Sequence, residues 1–405
     1  MRRIAIVGAG LAGFSAGQEL RRLGFDGDLT VIGAEPHRPY RRPPLSKEHL
    51  LGESDLSLRG ADELGAAWRL GRAATGLDLE RRAVLVGEAA IGFDGLVIAT
   101  GLRAKSLPEG TALPGVHFLR GLDDARGLRR EIEARPRTVV VGGGFIGSET
   151  AATLRGLGLE VTLISGRPVL RSALGAEVGA IAEAMHREHG VEVRTGRMAG
   201  VSGTGRVERV HLQDGGTVTA DLVVAALGAE PETEWLRGTG LGDGDGVMVG
   251  ADGLVAPGIA AAGDVARWPH PLHSGRTLRI EHYANAAEQG AHAARALLGG
   301  IGPYTPLPNF WSHLYGRRLQ AVGFTGADCE SRLVAQEPGH RFMAEYRHRG
   351  RLVGVAAAGF ARAMPEYRQR IAQALAPVAE TAEGPPDTGV VSGGPTSQRA
   401  DERAG

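Results

Sequence analysis

One glycine-rich segment occurs twice in this chain of 405 residues, 134 residues apart. Residues 3–13, RIAIVGAGLAG, return in altered form as TVVVGGGFIG at 138–147. The same offset relates the segments LRRLG at 20–24 and LRGLG at 154–158. Each copy predicts a buried strand, a glycine turn and a helix that ends at glycine. A chain that repeats this pattern is constrained to fold as two similar α/β units.

Both copies match the pattern G-x-G-x-x-G, in which each glycine has a separate task. The first permits a tight turn, the second lets backbone N–H groups approach a pyrophosphate, and the third lets the helix pack on the strand. These glycines are Gly8, Gly10 and Gly13 in the first unit and Gly142, Gly144 and Gly147 in the second. A second strand follows at 29–32 and at 161–164, which favours a ligand site over a simple glycine-rich turn. We expect two dinucleotide sites, for a bound cofactor that exchanges hydride with a diffusible one.

Further strands and a change in composition indicate the rest of the architecture. Residues 92–101 and 220–228 each predict a turn, a buried strand and a glycine exit that closes one nucleotide-binding half. From residue 304 onward, aromatic residues and alternating strands predict a smaller α+β domain. After residue 381 the chain is rich in Gly, Pro, Ser, Asp and Glu, which predicts a disordered tail. The expected fold is α/β, with two Rossmann-like dinucleotide-binding domains and a small C-terminal α+β domain.

Charge and cysteine content exclude several classes of function. The 46 basic and 46 acidic residues give no net charge, which removes the overall attraction expected of a nucleic-acid or membrane-surface binder. Cys329 is the only cysteine, so an internal disulfide, a Cys-x-x-Cys pair and a metal site of several thiolates are excluded, and we expect no metal. The sequence has no run of about 18 apolar residues. Its first apolar run begins at residues 3–4, too early for a signal peptide, so we expect a soluble, cytoplasmic protein.

Four motifs, taken in order, resemble those of a known family. They are PYRRPPLSK at 39–47, AGDV at 262–265, EHYANAAEQG at 281–290 and FWS at 310–312. Their order is similar to that in the FAD-dependent NAD(P)H:ferredoxin reductases of the putidaredoxin-reductase and rhodocoxin-reductase type, which have the glutathione-reductase fold. The resemblance covers about residues 1–375.

The resemblance implies that the first unit binds FAD and that the second binds the nicotinamide nucleotide. It implies an enzyme in which NAD(P)H passes a hydride to flavin N5 and the flavin passes single electrons to a ferredoxin that serves an oxygenase. The expected domains are an FAD-binding domain at 1–107 and 235–305, an NAD(P)-binding domain at 108–234, a C-terminal domain at 306–380 and the tail at 381–405.

Acidic residues and one lysine suggest how the cofactor is held. Glu35 lies 22 residues after Gly13, near where an acid binds an adenosine ribose; a surface acid in a polar turn is the alternative. Asp264 follows a short apolar strand, where its carboxylate could accept a hydrogen bond from a ribityl hydroxyl, cap the N-terminus of a helix, or do both. In the family, the Lys of P-L-S-K lies by the flavin and pairs with the Glu after the second glycine motif. This implies a catalytic pair of Lys47 and Glu149, with ordinary charges at helix starts as the alternative.

The two sites are expected to include further residues that match the family. For FAD these are Arg42, Thr100, Gly101, Glu281, His282, Tyr283 and Trp311, with Lys47. For the nicotinamide nucleotide they are Phe145, Ile146, Ser165, Arg167 and Gly228, with Glu149.

The second strand of the second unit does not end as in an NAD site. Such a site has an acid about 20 residues beyond the third glycine, which binds the adenosine 2′-hydroxyl. This chain has Ser165, Gly166 and Arg167 there, and no acid occurs between Val161 and Glu177. Arg167 could pair with a 2′-phosphate, and Ser165 could donate to it. The sequence therefore favours NADPH over NADH, with Arg167 as a simple turn residue the alternative.

The electron acceptor is less closely defined. His313 stands where the family usually has Asp, and Asn309 and Tyr283 each stand where it usually has Trp. A small-molecule acceptor and a redox-responsive interaction protein resembling apoptosis-inducing factor are therefore alternatives. Because the chain has no net charge, an acidic ferredoxin would need local positive charge at its docking site. The candidate docking residues are Arg41, Arg42, Arg317 and Arg318, with ordinary solvated surface as the alternative. No feature of the sequence indicates the oligomeric state.

Overall fold

The computed structural model describes residues 1–107, 113–270, 277–300, 302–326 and 328–375. The tail expected at 381–405 lies outside these residues, and so does the start of the expected NAD(P)-binding domain at 108–112. Within the described part, no helix combines the length and the apolar character that a membrane span requires.

The first repeat folds as the predicted βαβ unit. β1 (Arg3–Val7) leads into α1 (Leu11–Arg22), and β2 (Asp28–Gly33) pairs in parallel with β1. Gly24 follows α1 with a left-handed φ of +85°, which ends the helix as expected. The next elements are α2 (Glu48–Leu51), β3 (Ala67–Leu70), β4 (Gly76–Asp78), β5 (Ala83–Val86), β6 (Ala89–Gly92), β7 (Gly95–Ile98) and β8 (Leu102–Ala104).

The second repeat forms a matching unit. Its region contains β9 (Val116–Phe118), α3 (Leu122–Ile132), β10 (Thr138–Val141), α4 (Phe145–Gly156), β11 (Val161–Ser165), α5 (Arg171–Glu188), β12 (Glu192–Thr195), β13 (Met198–Ser202), β14 (Arg209–Leu212), β15 (Thr217–Thr219), β16 (Leu222–Ala225) and β17 (Ala229–Pro231). The main sheet has the order β12-β11-β10-β16-β9. β10 and β16 are buried at every position, because apolar runs such as TVVV and LVVA suit central parallel strands covered on both faces.

The chain then returns to the first domain. It adds β18 (Gly242–Asp243), β19 (Gly246–Met248), β20 (Leu254–Ala256), β21 (Ile259–Ala261), β22 (Ala266–Pro269), β23 (Thr277–Arg279) and α6 (Tyr283–Leu297). β21 pairs in parallel with β7, which gives the first sheet the order β20-β21-β7-β1-β2-β3. α6 packs closely on α1, since a Cβ on Gly290 would meet the Ala12 carbonyl oxygen at 2.2 Å. β8 and β17 pair antiparallel where the chain passes between the two βαβ regions.

The remaining elements form the predicted C-terminal α+β domain. They are β24 (Asn309–Leu314), β25 (Arg317–Gly323), β26 (Glu330–Glu337), β27 (Arg341–His348), β28 (Arg351–Ala358) and α7 (Met364–Leu375). The antiparallel sheet has the order β24-β25-β28-β27-β26, and α7 packs against β28 and β25. β24 also contacts α4 and α6, which brings this domain against both βαβ regions.

Candidate active site

A cavity of about 930 Å³ lies among the three regions of the fold. This volume is in the upper part of the range of cofactor pockets, about 300–1,000 Å³. Most of the predicted residues form its wall: Gly8, Gly10, Glu35, Arg42, Lys47, Thr100, Gly101, Phe145, Ile146, Glu149, Asp264, Glu281, His282, Tyr283 and Trp311. The predicted residues that do not line it are Gly13, Gly142, Gly144, Gly147, Ser165, Arg167 and Gly228.

The glycine turn after β1 leaves room for a phosphate. Gly8 has a left-handed φ of +118°, and a Cβ there would meet the Ala99 carbonyl oxygen at 2.0 Å. A Cβ on Gly13 would meet the Gly8 carbonyl oxygen at the same distance, so only glycine lets α1 pack on the turn. Gly10 differs, because a Cβ there would meet no atom within 4 Å. Bare backbone facing open space at the N-terminus of α1 is what a pyrophosphate requires.

Glu35 lies just beyond β2 and is held by two donors. The Tyr40 hydroxyl donates to its Oε2 at 2.5 Å, and Arg42 pairs with its Oε1. Burial opposes ionisation of Glu35, but Arg42 and Tyr40 outweigh it and hold the pKa of this carboxyl below its usual value. Because each carboxylate oxygen can accept two hydrogen bonds, Glu35 keeps acceptor capacity on its cavity side.

Asp264 follows β21 and faces a guanidinium that sequence reasoning missed. Arg120 lies 3.4 Å from its Oδ2, and Arg42 donates to the Arg120 carbonyl oxygen at 2.8 Å. Burial raises the pKa of Asp264, against the opposing effect of Arg120. Both arginines line the cavity, Arg42 beside Glu35 and Arg120 beside Asp264. Arg120 belongs to none of the sequence motifs, and it lies within the stretch 108–234 that is expected to form the NAD(P)-binding domain.

Lys47 and Glu149 meet at the cavity wall. Lys47 Nζ lies 2.6 Å from Glu149 Oε2 and also donates to the Pro43 carbonyl oxygen at 2.9 Å. Two serine hydroxyls donate to the same carboxylate at 2.6 Å, Ser46 to Oε2 and Ser312 to Oε1. The pair joins residues 102 positions apart, and neither serine was expected in the site.

Aromatic rings and a histidine form the wall near the C-terminal domain. Phe310 contacts Phe145 and His282, with ring centroids 5.0 and 4.8 Å away. Tyr283 lies edge-on to Trp311, at 6.1 Å between centroids. Burial lowers the pKa of His282 to about 4, so its ring is neutral at pH 7. Its buried Nδ1 has no hydrogen-bond partner among the described residues, which fits a site where a ligand completes the bond.

The turn after β10 repeats the geometry of the first turn. Gly142 has a left-handed φ of +123°, and a Cβ there would meet the Ala226 carbonyl oxygen at 2.1 Å. A Cβ on Gly144 would meet no atom within 4 Å, so this turn also leaves room for a phosphate. Phe145 and Ile146 open α4 and line the shared cavity, which places the second turn next to the first site.

The residues after β11 and β16 lie at the same edge of the second sheet. The Ser165 hydroxyl donates to the Arg167 carbonyl oxygen at 2.6 Å, so its proton holds the turn in this structure. The Arg167 side chain is exposed to solvent. Gly228 has a left-handed φ of +92° and accepts a hydrogen bond from the Lys105 N–H at 3.1 Å. Ser165 and Arg167 are therefore adjacent at the end of β11, where an NAD site has an acid.

The structure separates the arginines considered for docking. Arg42 is half-buried in the cavity wall, paired with Glu35. Arg317 and Arg318 are neighbours in β25, so their side chains leave opposite faces of the sheet. Arg318 lies over the Trp311 ring at 5.9 Å, whereas Arg317 lines a separate cavity beside α5. Arg42 therefore belongs to the cavity wall, Arg317 and Arg318 leave opposite faces of β25, and a docking role for these arginines stays a prediction.

Two family models match this chain. Residues 2–290, more than half of the sequence, match the model described as pyridine nucleotide-disulphide oxidoreductase. This chain belongs to the pyridine nucleotide-disulphide oxidoreductase family. Residues 309–387 match a model described as reductase C-terminal. With Cys329 as its only cysteine, this member of the family has no internal disulfide.

Individual relatives narrow the comparison within the family. The chain is 41% identical to the ferredoxin reductase component of chlorobenzene dioxygenase from Cupriavidus sp. strain PS12, over 79% of this chain and 80% of that protein. It is 38% identical to rhodocoxin reductase from Rhodococcus erythropolis, over 80% and 79%. The solved covalent putidaredoxin reductase–putidaredoxin complex matches with a TM-score of 0.86 and 31% identity, over 92% of this chain and 93% of that chain. The resemblance and the fold class expected from sequence are confirmed.

Proposed function

We propose that this protein is an FAD-dependent NAD(P)H:ferredoxin reductase that supplies electrons to an oxygenase. The observation that carries the proposal is the cavity beside two glycine turns, with the Lys47–Glu149 pair in its wall. Relatives named as reductase components of chlorobenzene and benzene dioxygenases support this reading. The proposal includes a cytoplasmic location, which suits a chain with a single cysteine.

The cavity wall offers partners for the pyrophosphate, the ribose and the ribityl chain of FAD. The glycine turn at Gly10 and the Arg120 guanidinium suit the pyrophosphate, Glu35 suits the adenosine ribose, and Asp264 suits a ribityl hydroxyl. His282 Nδ1 offers one more unpaired polar atom. When bound, FAD supplies the ability to accept a hydride from NAD(P)H and to release electrons singly.

Lys47 and Glu149 have the geometry of a fixed charge pair. Glu149 and the Pro43 carbonyl oxygen hold the Lys47 ammonium in place, and only 14% of that side chain is exposed. A lysine ammonium is a compact donor, and a fixed donor in a half-buried site stabilises developing negative charge without having to reorient. Lys47 therefore orients and polarises the reacting groups, while Glu149 positions Lys47.

Anaerobic stopped-flow mixing with NADPH and NADH tests this function. The FAD-loaded protein should lose its visible flavin absorbance with both nucleotides, and should reduce cytochrome c only when a ferredoxin is added. Lys47→Ala should slow flavin reduction by about 100-fold, as for loss of one preorganised donor. The chain's other lysine provides the control, because Lys105 is exposed and outside the cavity wall. If Lys47→Ala reduces its flavin at the wild-type rate, the catalytic role of Lys47 is contradicted. Cytochrome c reduction without ferredoxin contradicts the proposed acceptor.

We further propose that NADPH is preferred over NADH. The second strand of the nucleotide unit ends at Ser165 without a carboxylate to repel a 2′-phosphate, and Arg167 stands exposed two residues later. A guanidinium can pair with such a phosphate through two hydrogen bonds. The ratio of kcat/KM for NADPH to that for NADH should exceed one in the wild type, and should fall in Arg167→Ala. A wild-type preference for NADH contradicts the proposal.

A further inference from the structure

Arg197 follows β12, the strand beside β11 in the second sheet. Its backbone is fixed on both sides, since the Gly196 N–H donates to the Ser165 carbonyl oxygen at 2.9 Å and the Gln213 N–H donates to the Arg197 carbonyl oxygen at 2.9 Å. Parallel strands end at the same edge of a sheet, so the backbone of Arg197 lies at the edge where β11 ends.

The Arg197 side chain crosses the turn after β11. A Cβ built on Gly166 would meet Arg197 Cγ at 2.9 Å and Nε at 3.3 Å, so the guanidinium stem lies directly over the glycine between Ser165 and Arg167. A larger residue at Gly166 would have to displace Arg197. The glycine therefore brings a second arginine to the turn that holds Arg167.

Neither of these arginines is neutralised by an acid. Arg167 and Arg197 are both exposed, and within the described ranges neither forms an ion pair with a carboxylate. Arg194, within β12, is different because a Glu192 carboxylate oxygen lies 2.6 Å from its Nε. Two unpaired guanidinium groups beside one turn favour a ligand that carries more than one negative charge.

We infer that Arg197 is a second specificity-determining residue of the nucleotide site, which together with Arg167 binds the 2′-phosphate of NADPH. A phosphate monoester carries about −1.5 to −2 charges at pH 7 and three acceptor oxygens, which matches two guanidinium groups. The 2′-hydroxyl of NADH carries no charge for Arg197 to pair with. The inference rests on the NADPH preference proposed above and adds a residue that sequence reasoning did not select.

Calorimetric titration of the FAD-loaded protein with adenosine 2′,5′-bisphosphate and with 5′-AMP tests the inference without a turnover measurement. The two probes differ only in the 2′-phosphate. The wild type should bind the bisphosphate more tightly than 5′-AMP. Arg197→Ala should weaken bisphosphate binding by about tenfold or more, as for loss of a charge-assisted hydrogen bond, and should change 5′-AMP binding by less than about threefold. Arg194→Ala, which removes a neighbouring arginine already paired with Glu192, should change neither affinity.

Two contrary results have different meanings. If the wild type binds both probes with equal affinity, the proposed NADPH preference and the proposed role of Arg197 are both contradicted. If the wild type prefers the bisphosphate and Arg197→Ala keeps that preference while Arg167→Ala loses it, Arg197 is excluded and the NADPH proposal stands. Gly166→Ala gives an independent variant: displacing Arg197 should weaken bisphosphate binding in the same direction, and unchanged binding there contradicts the inference.

Discussion

The Glu149 carboxylate accepts hydrogen bonds from two segments that are far apart in the sequence. Ser46 and Lys47 reach its Oε2, and Ser312 of β24 reaches its Oε1, each at 2.6 Å. Glu149 is 6% exposed and Ser312 is 1% exposed, so water cannot replace a lost donor without rearrangement. One buried side chain therefore links the FAD-binding region, the second nucleotide unit and the C-terminal domain.

Ser312→Ala should lower the free energy of unfolding by about 1–3 kcal/mol, because it leaves a buried carboxylate oxygen without its donor. Ser57→Ala is the matched control, since the Ser57 hydroxyl donates to Asp55 at the same 2.6 Å but at an exposed position. The control should lose less than about 0.5 kcal/mol. Urea unfolding of the FAD-loaded variants measures both values, and equal losses would show that burial does not matter here.

Helix α5 meets the C-terminal domain through a buried histidine. His186 is fully buried, and its Nδ1 lies 2.8 Å from the Tyr315 hydroxyl in the turn between β24 and β25. His189, the residue just after α5, stacks on the same Tyr315 ring, with 3.7 Å between the ring centroids. Burial lowers the pKa of His186 to about 4, with a smaller contribution from His189. This contact between α5 and the C-terminal domain therefore depends on a neutral imidazole.

The free energy of unfolding should fall as the pH is lowered from about 6.5, the usual pKa of an unfolded histidine, towards 4. In that range the unfolded chain binds a proton at His186 that the folded protein excludes, which costs up to roughly 3 kcal/mol. His186→Gln removes the titrating group and keeps a polar partner for Tyr315, so it should flatten this dependence. The flattening is partial, because burial also lowers the pKa of His282 to about 4. Urea unfolding at several pH values measures the slope, and an unchanged slope in the variant contradicts the assignment.

The surface around Trp311 is formed by regions that are far apart in the sequence. Trp311 of the C-terminal domain is 37% exposed, with Arg318 over its ring and Tyr283 of α6 at its edge. Arg41 lies close enough to Tyr283 to oppose the rise of the tyrosine pKa caused by burial. Because the chain has no net charge, a ferredoxin docking face at Trp311 would depend on local charges such as those of Arg318 and Arg41.

Arg318→Ala should lower kcat/KM for an acidic ferredoxin by about three- to tenfold at low salt, and should weaken its salt dependence, because steering charges act mainly on association. Reduction of ferricyanide should not change. Arg317→Ala is the matched control, since it removes the same charge from the opposite face of β25. Equal effects of the two substitutions on ferredoxin reduction would contradict a docking face at Trp311.

Both βαβ units and their glycine turns could be predicted from sequence because their causes are local. The strand, turn and helix of each unit lie within about 30 residues, and the left-handed φ of Gly8 and Gly142 excludes most other residues. The Lys47–Glu149 contact was reached through the resemblance of motifs, not through spacing. The exact domain boundaries and the roles given to the site residues stay predictions.

Other parts of the site were decided by tertiary structure alone. Arg120 meets Asp264 across 144 positions, and Ser312 meets Glu149 across 163, distances for which no spacing rule exists. Arg197 reaches the turn after β11 only because β12 lies next to β11. Local periodicity specifies which residues form a strand and which face they share, whereas the partner of a buried charge depends on how the finished sheets and helices pack.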